Sequence, residues 1–363
     1  MATKRIGISR DLIFHPGETI AEVLIERGIS QAELATRAGV SAAYVSNVIA
    51  GKKDISSNFA MGLEYALDIP KSFWLNLQAN YEAELLELNE VASIKEEERN
   101  VREQLKEVVK ILRQWGKIPE RESKDDSILS LRRALQISNL ENLKDVVPAG
   151  AFRMASTKKV NPHILGAWLR ICQLIGEKSS VSTKFENVKI DKLVVELKQL
   201  MLKNSDNLPE DLEELLGKYG IDFTFMRNFS GAPVNGYICE KDDGTYQMVL
   251  TIRGAFADII WFSLFHELGH IVNGDIGKNA KFIDAGTDLD KEEAANLFAS
   301  NALLEPRRYE AFVQNRNFTS DAIKQFSAQQ NVPPYILIGR LQKEGHLSYT
   351  SYSDYKPRYK WAK

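Results

Sequence analysis

The sequence predicts a mainly α protein with a small β-sheet, an all-α N-terminal domain preceding an α+β C-terminal one. Three observations predict it. Apolar residues recur at helical spacing, between recognisable caps, through most of the first 205 residues. From about residue 219 the period falls to two over three short runs rich in β-branched and aromatic residues. Apolar helical segments then resume to the end. At 363 residues the chain is too long for one core of ordinary size, and 44% apolar content can fill more than one.

In chain order, GETIAEVLIERG (17–28) carries a one-sided stripe of Ile20, Val23 and Leu24. Ser30 caps QAELATRAG, with Glu33 completing a capping box. Gly39 ends that helix, Ser41 caps AAYVSNVIAG, and Gly51 stops it. Two more helices complete residues 1–88. Residues 89–130 are dense in charge and read as a long solvated helix ending near Gly116, then a polar loop. Helical pattern continues to 205, with Asn161-Pro162 opening a helix whose apolar face runs Ile164, Leu165, Trp168, Leu169, Ile171 and Cys172. GIDFTFMR, NGYICEK and TYQMVLTIR read as strands, the last two joined by a turn at Asp242-Asp243-Gly244. The expected domains are therefore 1–88, a helical middle region 89–205, and 206–363 with a helical tail.

Composition excludes several classes. Net charge is −2, so a nucleic-acid or membrane partner must be argued locally. No apolar run reaches the length of a membrane span. The N-terminus is basic without a long apolar core, which reads as no signal peptide. Two cysteines, Cys172 and Cys239, exclude a disulfide framework and a four-cysteine zinc module, and the expected location is the cytoplasm.

The chemistry is concentrated in HELGH. On the helix expected over 255–273, His266 and His270 are four residues apart and share a face, the spacing at which two imidazoles hold one zinc ion. Glu267, one position round, can take a proton from a zinc-activated water. The flanking Phe262, Leu264, Phe265, Leu268, Ile271 and Val272 mark a buried helix, and Gly269 leaves room for a close backbone neighbour. A third ligand is expected from the next helix, EEAANLFASNALLEP: Glu292, with Asn296 on the same face orienting a ligand, and Glu293 as fallback. The sequence does not identify an oxyanion stabiliser; Tyr309 and Arg307 lie after the ligand helix and read equally as surface residues. Were TYQMVLTI an edge strand, a substrate peptide could add to it.

HELGH followed by EEAANLFASNALLEP resembles the ImmA/IrrE metallopeptidases over about residues 215–345. The resemblance implies a zincin-like domain with Zn2+ on His266, His270 and Glu292, and with Glu267 as catalytic base. It also implies a substrate class, DNA-binding repressors cut to relieve repression; whether the peptidase is latent until triggered stays open. The rival reading is an antitoxin-like repressor whose metal domain senses or docks a partner without cleaving.

At the other end, SQAELATRAGVSAAYVSNVIAGK has the layout of a helix-turn-helix. With HPGETIAEVLIERGIS before it, it resembles Xre-like repressor domains and HigA-type antitoxins. The resemblance implies double-stranded operator DNA as partner. Gln31 and Lys52 would touch phosphates, and Ser41, Ala42, Ala43, Tyr44, Ser46 and Asn47 would face the major groove. Residues 1–53 hold seven Lys/Arg against five Asp/Glu, so electrostatic affinity is modest, and a homodimer on a palindrome is expected to compensate.

Overall fold

The structure, a computed structural model, describes residues 13–147, 160–252, 256–276, 281–283 and 289–360. The N-terminal segment read as lacking a signal peptide lies largely outside them. The chain forms two compact units, Met1–Arg99 with Pro119–Ser130, and Asn100–Ile118 with Leu131–Lys363. The expected middle region, 89–205, contributes to both.

The first unit opens with five helices, α1 (Pro16–Arg27), α2 (Gln31–Ala38), α3 (Ala42–Ile49), α4 (Ser57–Leu67) and α5 (Lys71–Glu90). Their stripes converge on Ile20, Leu34, Val45, Val48, Phe59, Leu63 and Trp74, all essentially sealed from solvent. The caps work as the sequence predicts. Ser30 Oγ accepts from the Glu33 amide, and Ser41 Oγ from the Tyr44 amide. Gly39 takes the left-handed conformation, φ 71°, that turns α2 into α3.

The segment after α5 corrects the single long helix expected over 89–116. It breaks into α6 (Glu96–Gln104) and α7 (Lys106–Gln114), interrupted at Leu105, whose φ −85° and ψ 22° leave the helical well. Nor is it wholly solvated. Val108, Val109, Ile111 and Leu112 are buried, as is Leu105 at the break itself. The α8 helix (Lys124–Leu135) and a 3-10 segment (Leu140–Val146) follow.

In the second unit, α9 (Pro162–Gly176) starts where Asn161 caps it, accepting from the amides of His163 and Ile164. It buries Leu165, Trp168, Leu169, Ile171 and Cys172 as expected, while Ile164 is half-buried. Helices α10 (Ile190–Lys203) and α11 (Leu208–Lys218) lead into the strands β1 (Ile221–Met226), β2 (Gly236–Glu240), β3 (Tyr246–Thr251) and β4 (Lys281–Ile283). They form one sheet in the order β1-β3-β2-β4, with β1 parallel to β3 and the other pairs antiparallel. The sheet thus places β3 inside, flanked on both sides, so TYQMVLTI has no open edge for a peptide to join. Its run Met248, Val249, Leu250 is apolar without alternation because both faces are covered.

Five helices complete the unit: α12 (Ala257–Asn273), α13 (Leu289–Leu303), α14 (Pro306–Gln314), α15 (Ser320–Gln329) and α16 (Pro334–Lys343). α12 lies in the core through Trp261, Leu264, Phe265 and Leu268. The tail helices finish that core with Phe326, Leu337, Ile338 and Leu341. No helix among the described residues is long and apolar enough to cross a membrane.

Candidate functional site

α12 is the anchor. It is buried on most sides, and the residues that interrupt its apolar surface, His266, Glu267 and His270, are buried with it. α13 packs tightly across it. A side chain at Gly269 would bring a Cβ within 3.0 Å of the Ala295 Cα and carbonyl oxygen, so the glycine and the small residue opposite set the approach of the two helices. That approach delivers Glu292 and Asn296 to the histidines.

Three donor groups converge, the carboxylate presenting one oxygen to each ring. His266 Nε2 and His270 Nε2 are 3.1 Å apart. Glu292 Oε2 lies 3.3 Å from the first, and Glu292 Oε1 3.7 Å from the second. Ligand atoms about 2.0–2.1 Å from a tetrahedral zinc ion stand about 3.3–3.4 Å from one another. The three separations bracket that value. The opposite ring atoms are also assigned: His266 Nδ1 lies 3.0 Å from Asn296 Oδ1, and His270 Nδ1 lies 2.9 Å from Asp275 Oδ2. With Nδ1 donating to these oxygens, a neutral ring puts its Nε2 lone pair toward its neighbour's. Two lone pairs facing each other beside a carboxylate repel unless a cation or proton lies between them. The donor set therefore fits a divalent ion of zinc's type.

The structure brings together His266, His270, Glu292 and Asn296, and leaves Glu293 exposed outside the cluster. Glu267 is fully buried beside β2, its Oε1 only 2.0 Å from where a Cβ on Gly236 would stand. Sequence reasoning missed Asp275 and Gly236. Asp275 follows the helix-ending Gly274, φ 71°, which folds the chain back so that a carboxylate five residues on reaches His270. A Gly-Asp pair just after HELGH is the signal that could have found it. Arg307 is exposed, and the buried Tyr309 spends its hydroxyl on Glu344 Oε2 at 2.6 Å.

In the first unit, Gln31, Ser41, Ala42, Ala43, Ser46 and Lys52 are exposed on α2, α3 and the turn after it, while Asn47 is half-buried. Tyr44 departs from the expectation that it faces a groove. Its hydroxyl donates to the Asp54 carbonyl at 3.0 Å, and its ring meets Phe59 edge-on at 5.1 Å. Its polar tip is spent on holding the loop after α3. His15 is buried: Nδ1 accepts from the Gly17 amide at 2.9 Å, capping α1. Gly17 is required there, because a Cβ would lie 2.0 Å from the Val48 carbonyl oxygen. Burial lowers the His15 pKa below 6.5, with Asp54 and Glu18 opposing.

Comparison with known proteins bears on this unit. Residues 20–74 match the family described as "Helix-turn-helix". Among solved structures, the antitoxin GraA is similar at 32% identity, over 23% of this chain and 95% of that one, with a TM-score of 0.22. The Pseudomonas aeruginosa antitoxin HigA, solved with higBA promoter, is similar at 34% identity over 23% and 97%, TM-score 0.21. A second Pseudomonas aeruginosa protein, solved with its operator DNA, is similar at 37% identity over 20% and 78%, TM-score 0.20. No curated protein matches. Residues 20–74 thus form a helix-turn-helix domain, and the match extends no further along the chain.

Proposed function

We propose that this chain is a DNA-binding regulator whose second unit is a zinc-dependent endopeptidase acting on a regulatory protein. The observation that carries the peptidase reading is the convergence of one ligand atom each from His266 and His270 on α12 and Glu292 on α13, all within 4.8 Å of one another, beside the buried Glu267. His266, His270 and Glu292 hold the ion. When bound, it supplies Lewis acidity toward water and the scissile carbonyl. Asn296 and Asp275 fix the two rings by their Nδ1 atoms and keep both Nε2 atoms available. Glu267 accepts the proton of the attacking water and returns it to the leaving amine. β2 backs the carboxylate at Gly236 and limits its swing. The resemblance to ImmA/IrrE chains supports a repressor or antitoxin-like substrate, this chain included.

The helix-turn-helix match supports the DNA half. α3 presents Ser41, Ala42, Ala43 and Ser46 outward, so methyl contacts to thymine and hydroxyl contacts carry the readout, with Gln31 and Lys52 on phosphates. A homodimer on a palindromic operator suits so small a charge excess.

Two measurements test the proposal. Elemental analysis is expected to find near one zinc per chain, lost in His266→Ala; no metal in either protein removes the peptidase reading. New protein N-termini are then compared between cells carrying the wild type and Glu267→Gln. Cleavage products absent from the variant support hydrolysis. Identical profiles from two zinc-loaded proteins leave a sensing or docking role for the metal.

A further inference from the structure

A cleft continues from the donor cluster. On α12, Ile259, Phe262, His266 and His270 lie on one stripe, and on α13, Glu292, Asn296, Ser300 and Leu303 lie on another. The pairings His266 with Asn296 and His270 with Glu292 make these stripes antiparallel. One turn before His266, about 5.4 Å along α12, the stripes open into a cavity of about 630 Å³. Asn296 and Phe262 are its border with the metal ligands, and α16 forms its far wall. The volume is that of a typical ligand site, about 300–1,000 Å³, and exceeds what one side chain fills. A second cavity, about 670 Å³, is lined by Trp115, Ile171 and Phe223 and borders none of the donor residues.

The lining has a definite chemistry. Ile259, Phe262, Leu303, Leu304 and Ile336 make it apolar. Ile259 is 42% exposed although it lies on the stripe that leads to the ligands. The charged groups around it are mostly satisfied. Lys356 Nζ pairs with Asp258 Oδ2 at 2.6 Å. Arg340 stacks 3.7 Å over the Tyr309 ring and bonds Glu344 at 2.9 Å, and Glu344 also receives the Tyr309 hydroxyl. The exposed Lys343 has no ion pair among the described residues. Three cations against two anions line the cleft, and the surplus charge is the exposed one.

We propose that this cleft is the substrate-recognition subsite of the metal centre and takes a peptide segment carrying large apolar side chains next to an acidic one. The apolar side chains enter between α12, α13 and α16, and the carboxylate meets Lys343. The contiguity with Asn296 then sets the peptide's backbone beside the ligands, so the bond cut lies within a few residues of the apolar segment. This assignment rests on the peptidase reading for its cleavage arm only; binding is read separately.

The test uses the full-length, zinc-loaded Glu267→Gln protein and short fluorescein-labelled peptides in anisotropy titrations. One peptide carries Leu-Leu-Phe followed by two glutamates, a second has lysines for the glutamates, and a third has alanines for the apolar residues. The first is expected to bind about tenfold more tightly than either of the others. Lys343→Glu, at an exposed position, is expected to reverse the order of the first two. Ile259→Arg is expected to abolish binding of both. Equal binding of all three peptides, binding of none, or indifference to both substitutions overturns the assignment. The wild type is then given the first peptide. Cleavage near the apolar segment supports both proposals, and cleavage far from it overturns this one. Selective binding without cleavage keeps the subsite and counts against the peptidase.

Discussion

Replacing Asp275 by asparagine isolates what the carboxylate behind His270 contributes to holding a metal. The pair is close, 2.9 Å, and its two side chains are 0% and 10% exposed, so the interaction works in a medium of low effective dielectric. Asparagine keeps the shape and an oxygen acceptor but removes the negative charge that makes His270 Nε2 a stronger donor. Losing such a partner costs about 10–100-fold in metal affinity, or about 1.4–2.7 kcal/mol. At a fixed free zinc concentration well above both dissociation constants, the stabilisation by zinc falls by the same amount. For a unit of this size each kcal/mol moves the melting temperature by about 2–4 °C. The zinc-induced rise in melting temperature should therefore shrink by about 3–11 °C. Competition with a chromogenic chelator gives the affinity, and scanning calorimetry the shift. His266, backed by the neutral Asn296, supplies the internal comparison: Asn296→Ala should cost less than Asp275→Asn. An unchanged affinity in Asp275→Asn, in a protein where His270→Ala abolishes zinc binding, would refute the reasoning.

Other consequences are more local. Gly236→Ala puts a Cβ 2.0 Å from Glu267 Oε1 and displaces the base by about 1 Å; cleavage should fall about 10²-fold at unchanged zinc content, and wild-type rates would sink the idea. His15 caps α1 in its neutral form and has a lowered pKa, so its contribution is complete above pH 6.5 and is lost as pH falls through 6.5 toward the folded-state value, where the unfolded chain binds the proton first. Hydrogen exchange corrected for intrinsic rates should show α1 losing protection over that range, and undiminished protection at about pH 5 would contradict it. Lys52→Ala should weaken operator binding uniformly across sequences and reduce the salt slope by about one, whereas a sequence-selective loss would assign Lys52 to base contact.

What the sequence discloses about this molecule depends on how local the determining contact is. The helix-turn-helix was legible because its caps act within three or four residues: Ser30 on Glu33, Ser41 on Tyr44, and Gly39 at the turn. The two histidines were legible for the same reason, since spacing alone puts them on one face. Glu292 and Asn296 were reachable because α13 must present one stripe to α12, and Gly269 announces where the close approach occurs. Legibility ends where a contact depends on how distant segments meet. A strand cannot report whether it is flanked, so β3, with its apolar run Met248, Val249 and Leu250, suggested a strand without disclosing its internal place. The break at Leu105 falls at a buried residue beside the buried side of α7, which charge density concealed. His15 reads as polar and terminal, yet a tight Gly17–Val48 approach buries it. Tyr44 reads as an outward residue of α3, yet the Asp54 carbonyl takes its hydroxyl. Asp275 and Gly236 belong to the same class: one is returned to the site by the reversal at Gly274, the other brought under Glu267 by the sheet. In each case the residue that decides the chemistry is ordinary in its own neighbourhood. For His15 and Glu267 a glycine, Gly17 or Gly236, lets the backbone come closer than a side chain would permit.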